Sequence, residues 1–223
     1  MRPVVVVVIL GLLGVLSVLV GVAAGEFRYS PLIAALFVLS AAHGYVTQVR
    51  RRSDPVPEPE LRYSRVAFAV LTGLMVCLTA LWTFGAWDYA RARVWVAALV
   101  CAAAAAFCGS FLVLAAVGKV RCGRIWFTAH GIHQRGRAFS SFLPWESVAG
   151  VKPAWNGKPE VLIVAYANAP WERQQHARVW KLDQLPPVPM IEIDCTVLTC
   201  TPDHALRVVT AYVDDPDKRG ELR

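Results

Sequence analysis

An abrupt change in composition around residues 117–124 limits what this 223-residue chain can fold into. Ahead of it lie four apolar runs, 4–24, 31–49, 66–87 and 94–118, none of which contains Asp, Glu, Lys or Arg. At about 1.5 Å per residue, each is long enough as a helix to cross a hydrocarbon core of about 30 Å. Behind the break come about a hundred residues of mixed polarity. A buried helix of a soluble protein can also be apolar all round, but four in succession at this length would need a much larger protein around them. The chain is 56% hydrophobic and only 17% charged, with the excess in the first half. The expectation is a four-helix transmembrane anchor over residues 1–118 and one water-soluble domain over 119–223.

The first run has a second reading. Arg2 precedes it, and Val22, Ala23 and Ala24 would pass as a signal-peptide cleavage site. A secretory apolar region usually spans about 7 to 15 residues, and this one is longer, so a retained helix is expected. The cations set the orientation. Arg2, then Arg50, Arg51, Arg52, Arg62 and Arg65, then Lys119, Arg121 and Arg124 fall on one side. Arg28, Arg91 and Arg93 fall on the other, nine against three. The positive-inside rule puts both termini and the middle loop in the cytoplasm, which points to a multi-pass protein of the plasma membrane.

The net charge of +7 belongs mostly to the anchor. From Arg124 onward, twelve Lys and Arg face eleven Asp and Glu, a balance of +1 that gives no footprint for nucleic acid. Arg50, Arg51, Arg52, Lys119, Arg121 and Arg124 are candidates for contact with anionic lipid headgroups, each contributing on the order of 1 kcal/mol. Plain topology signalling is the simpler reading and is preferred to specific lipid recognition. The six cysteines do not read as a disulfide framework. Cys77, Cys101 and Cys108 lie inside expected spans, and Cys122, Cys195 and Cys200 lie on the reducing side.

Between the second and third runs, prolines alternate through residues 53–60, a stiff spacer that stops either helix from continuing. Ala98, Ala102, Ala106 and Ser110 form a small-residue stripe on the fourth helix, and Gly21 and Gly25 form a GxxxG pair in the first. Such stripes allow close helix packing, within one anchor or in a homo-oligomer. His43 is the one ionisable residue inside a run, and its place near a helix end reads as packing or interfacial. The lack of an intramembrane carboxylate argues against a cation-coupled exporter.

After Arg124 the apolar period becomes two. Residues 125–128 and 132–135 flank a tight turn at His130 and Gly131 and predict a hairpin. Further strands are expected at 147–152, 161–166, 179–183 and 190–195, with a turn at Asn156 and Gly157. The last element is expected to be a helix. Thr201 can cap it, Pro202 suits its first turn, Leu206, Val209 and Val213 supply an apolar face, and Pro216 stops it. Six or seven strands and one helix imply a small β-barrel or orthogonal sandwich with the helix over an open end.

Thr128, Gly131 and Ile132, then Arg135 and Arg137, then Leu143, Pro144, Trp145 and Glu146, with Val148 and Val151, together resemble bacterial PH-like domains of small membrane-anchored proteins. The tail agrees through Pro202, Leu206, Tyr212, Pro216, Arg219, Glu221 and Leu222. The resemblance covers roughly 118–223 and departs from the family at His130, which stands where an acidic residue is usual. It implies a mainly-β PH-like barrel with one C-terminal helix, in which Gly131, Pro144 and Trp145 serve structure. Phosphoinositide-binding PH domains use clustered cations on the first hairpin, and this hairpin is too short to supply them. Arg135 and Arg137, helped by His133 or Lys152, offer only a weak ligand patch.

Catalytic chemistry finds little support. His130 with His133, and Cys195 with Cys200, lack metal-site spacing, and Ser140 and Ser141 lack a glycine-framed elbow. No catalytic residue, metal ligand or cofactor is expected. The reading is a non-catalytic binding or scaffold module held at the membrane and meeting an unidentified cytoplasmic protein. The alternative is a small channel or transporter subunit whose β domain regulates or assembles it.

Overall fold

The computed structural model describes residues 30–48, 60–177, 179, 180, 182 and 186–222; before residue 60, side chains are described only at 33–42. The first apolar run, Gly21, Gly25, Arg50, Arg51, Arg52 and the prolines before Glu60 lie outside the described residues. The chain forms two compact units, one of residues 1–50 and 66–118 and one of residues 51–65 and 119–223.

In the first unit, helix α1 (Ser30–Gln48) covers the second apolar run and contains His43. Helices α2 (Arg65–Arg91) and α3 (Trp95–Ala116) cover the third and fourth. Both are long and apolar enough to cross a membrane. Their apolar side chains point outward: Val96 is 77% exposed and Leu99 70%. A soluble core helix would bury such residues. The turn between them is a Schellman cap, with Val94 N–H donating to Tyr89 O and Arg93 N–H to Ala90 O, and with Arg93 at φ 62°. The packed stripe of α3 differs from the expected one. Ala98, Cys101, Cys108 and Phe111 are buried, while Ala102 and Ala106 are exposed. The close approaches are made by Gly85 against Cys101 Sγ and by Gly109 against Thr79. A small residue marks where backbones can meet, and the glycines and a cysteine do so here more than the alanines.

The second unit is mainly β. Strands β1 (Glu60–Arg62), β2 (Arg124–Thr128), β3 (Gly131–Arg135), β4 (Phe139–Pro144) and β7 (Glu172–Gln175) form one antiparallel sheet in the order β1, β2, β3, β4, β7. Strands β5 (Val148–Trp155), β6 (Pro159–Ala165) and β8 (Met190–Asp194) form a second, in the order β5, β6, β8. Helices α4 (Pro202–Asp214) and α5 (Pro216–Gly220) follow. A single apolar core joins Leu61, Ile125, Phe127, Ile132 and Leu143 of the first sheet to Val161, Ile163, Ile191 and Ile193 of the second and to Ala205, Val208, Val209 and Tyr212 of α4.

The expected hairpin is present, but its loop lies one residue earlier than expected, at Ala129 and His130, with Thr128 opposite Gly131. Gly131 begins β3, and a Cβ there would collide with the Leu143 carbonyl and the Phe142 ring. Space, not backbone conformation, requires glycine at this position. The Asn156–Gly157 turn is also found, with Gly157 at φ 71°. The stretch expected as a strand at 179–183 is not one at Val179, Trp180 or Leu182. The strand lies earlier, at β7, an edge whose four residues are all exposed and therefore carry no apolar alternation. The loop before α2 contributes β1, in which Leu61 is fully buried.

Trp145 locks the far end of this domain. Pro144 ends β4, and Trp145 begins a 3-10 turn with its indole N–H donating to Thr128 O at 2.7 Å. Its ring lies 6.0 Å from Phe127, which in turn lies 5.1 Å from Tyr212 on α4. The Arg219 guanidinium lies over the Trp145 ring at 4.8 Å and donates to the C-terminal carbonyls of α4 at Tyr212 and Val213. Thr201 caps the opposite end of α4, accepting from His204 N–H. Trp145→Ala is expected to cost about 3–5 kcal/mol of stability. Denaturant unfolding of the full chain measures it, and an unchanged midpoint would refute the packing role.

Candidate functional site

The strand register sorts the outer face of the five-stranded sheet into two rows. Glu60, Trp126, His133, Phe142 and Glu172 occupy one. Arg62, Arg124, Arg135, Ser140 and Gln174 occupy the next. In the first row the Trp126 and His133 rings stack at 5.0 Å and 5°, and His133 meets Phe142 at 4.4 Å. Burial of the imidazole, partly opposed by Glu172, lowers the His133 pKa. Residues two apart on a strand share a face, and the Arg124 guanidinium lies over Trp126 at 4.5 Å.

The second row is a basic rim. Arg62 is held by Glu60 at 2.8 Å. Arg124 stands directly opposite Arg135, and Arg121 is close enough to act on it. Burial first and the Arg121 charge second lower the Arg135 pKa. Ser140, opposite Arg135, shares a 3.0 Å hydrogen bond with His176 Nε2. Burial and the Arg135 charge lower the His176 pKa. Lys119 is exposed two residues before Arg121. Arg121 and Arg124, read from sequence as headgroup contacts, therefore meet Arg135, read as part of a separate ligand patch. Arg137 does not join them; it donates to Leu182 O at 3.2 Å and lines a different cleft. Gly131, Pro144 and Trp145 gather at the turn end of the same hairpin, away from the rim.

That cleft, of about 370 Å³, lies between the sheets and brings together groups the sequence left unconnected. Lys158 Nζ lies 2.7 Å from Asp194 Oδ2 and 3.2 Å from Glu160 Oε1. Asp194 also accepts from Thr196 N–H at 2.9 Å and from its hydroxyl at 2.6 Å. Burial would raise the Asp194 pKa, but these hydrogen bonds, from Lys158 foremost, hold it below the usual range. Gln134, nearly fully buried, donates to Glu192 O at 2.8 Å and accepts from Ser141 at 3.3 Å, tying the two sheets together. Burial and then the Glu160 charge raise the Glu192 pKa. The alternation of Glu192 and Asp194 already put both on one face, but only the pairing of β6 with β8 brings Glu160 and Lys158 to them.

Among the described residues no three His, Cys, Asp or Glu side chains gather as metal ligands. The six cysteines are free thiols. Desolvation pushes Cys195 up to about 12 and Cys200 up to about 11, leaving both poor nucleophiles at neutral pH. Glu192 generates a pH prediction. Its folded pKa is raised, so the fold carries a penalty once Glu192 ionises, and that penalty is absent below the unfolded pKa. Glu192→Gln should melt above the parent chain at pH 8, and the difference should vanish as pH falls through the carboxylate range. A difference that does not change with pH would contradict it.

No family model, curated protein or solved structure matches this chain.

Proposed function

We propose that this is a multi-pass plasma-membrane protein that presents its β domain to the cytoplasm as a non-catalytic binding module. The observation that carries the reading is the insertion of α2 and α3, with their apolar side chains turned outward, between two adjacent strands of one sheet. A domain joined to both ends of such a hairpin is confined to the membrane surface. Two further spans, at 4–24 and 31–49, complete a four-helix anchor, and the helical path of α1 over the second of these supports it.

The β domain belongs, in this reading, with PH-like domains. Two antiparallel sheets around one core, closed by a C-terminal helix that stacks through Tyr212 on Phe127, support the assignment. The meeting of Gly131, Pro144, Trp145 and Arg219 supports it from the side of the motif residues. The nine-to-three cation bias supports a cytoplasmic domain. Suppressed thiols at Cys195 and Cys200 and carboxylates engaged by Lys158 fit a binding role better than a reactive one. The partner is a cytoplasmic protein brought to the membrane surface.

Fusions to the C-terminus of the full chain test the placement. Green fluorescent protein there should fluoresce, alkaline phosphatase there should be inactive, and the chain should remain in the membrane pellet after carbonate at pH 11. Active phosphatase would overturn the orientation, and extraction by alkali would overturn the anchor.

A further inference from the structure

We propose that the basic rim formed by Arg121, Arg124, Arg135, Ser140 and His176 binds a phosphate oxyanion, carried by an anionic lipid headgroup or by a free phosphate ester. Choosing the lipid as source rests on the membrane-anchored reading above; the site itself does not.

Like charges directly opposite each other across a strand pair are destabilising, yet Arg124 faces Arg135 and Arg121 adds a third cation beside them. Among the described residues, ion pairing does not relieve this arrangement. The nearest carboxylate in the register, Glu60, is taken by Arg62 at 2.8 Å. Among the described residues no carboxylate pairs with Arg121, Arg124 or Arg135. Burial is the larger cause of the lowered Arg135 and His176 pKa values, and the charges of Arg121 and Arg135 act in the same direction. An oxyanion held between the guanidinium groups would neutralise it.

The chemistry of the donors suits phosphate. Guanidinium forks match phosphate oxygens in a bidentate way, and bonds of this charged kind are about twice as strong as neutral ones. Ser140 and His176, already joined at 3.0 Å, supply neutral donors at the edge of the cluster. The Arg124 guanidinium lies over the Trp126 ring at 4.5 Å, so it starts partly ordered. The site lies at the opposite end of β2 and β3 from the Ala129–His130 loop. It is the end at which the chain leaves β1 for α2, with only Tyr63 and Ser64 between them, and returns from α3 into β2. With so short a connection from β1 to α2, a lipid phosphate is the source that the membrane-anchored reading favours.

The test uses the full chain in a neutral maltoside detergent, with calorimetric titration of glycerol 3-phosphate and of short-chain phosphatidic acid. Both should bind, and Arg135→Gln should weaken both at least about tenfold, the loss expected for one charged hydrogen bond. Arg207→Gln, on the exposed side of α4, should bind like the parent. Because Arg135→Gln removes a like-charge contact, its melting temperature should stay level or rise, which separates loss of the site from loss of the fold. Tighter binding of phosphatidic acid than of glycerol 3-phosphate, with both dependent on Arg135, supports the lipid source. Equal affinities support a free phosphate ester. Binding of neither probe, or unchanged binding by Arg135→Gln, overturns the proposal. A chain that alkali extracts but that still binds through Arg135 would sink the anchor and leave this site standing.

Discussion

Antiparallel pairing of Glu60–Arg62 with Arg124–Trp126 brings together two segments separated in sequence by the whole of α2 and α3. Leu61 enters the core with no exposed surface, and its neighbours are fixed as well. Tyr63 N–H donates to Gly123 O, Ser64 N–H to Val197 O, and Thr199 N–H to Arg62 O. Tyr63 is buried against Gly123, where a Cβ would strike its ring. Strand β2 is therefore paired on this side by the protein's own chain, and the edge of the sheet becomes the three-residue β1, in keeping with the short edge strands that limit pairing with other chains. Closing so long a loop costs less when most of it is two rigid antiparallel helices whose ends return to neighbouring positions.

The same pairing decides where the charge lies. Arg62 and Arg124 are opposite each other, so the basic residues flanking the helices in sequence become one rim with Arg135 from the hairpin. The polar cleft is the electrostatic contrast, since Lys158 lies against both Glu160 and Asp194, and Asp194 also accepts from Thr196. Lys158 offsets part of the negative charge there, whereas among the described residues no carboxylate pairs with Arg121, Arg124 or Arg135.

Much of this was legible in the sequence where the signal is local. The third and fourth apolar runs, the hairpin around Ala129 and His130, the Asn156–Gly157 turn and the capped final helix each carry their own period or cap chemistry. Strand β4 was missing from the expected strands, because Ser141 stands at one of its buried positions and breaks the apolar alternation; most of what else stayed hidden depends on pairing at a distance. Three residues, Glu60 to Arg62, have no strand signature alone, and a proline-rich stretch before them reads as a linker. Strand β7 is invisible because both its faces meet solvent. Arg135 and Arg137 look like a pair two residues apart, but Gly136 ends the strand between them and the structure sends them to different surfaces. The acidic cleft residues needed the β6 and β8 register, which no local pattern specifies.

Amide hydrogen exchange of the full chain in detergent, read by mass spectrometry over residues 60–64, tests this account most directly. If β1 is an integral strand, the amides of Leu61, Tyr63 and Ser64 exchange as slowly as those of β2, because they open only with the domain. Exchange of that segment at the rate of a free linker, with β2 still protected, would contradict it.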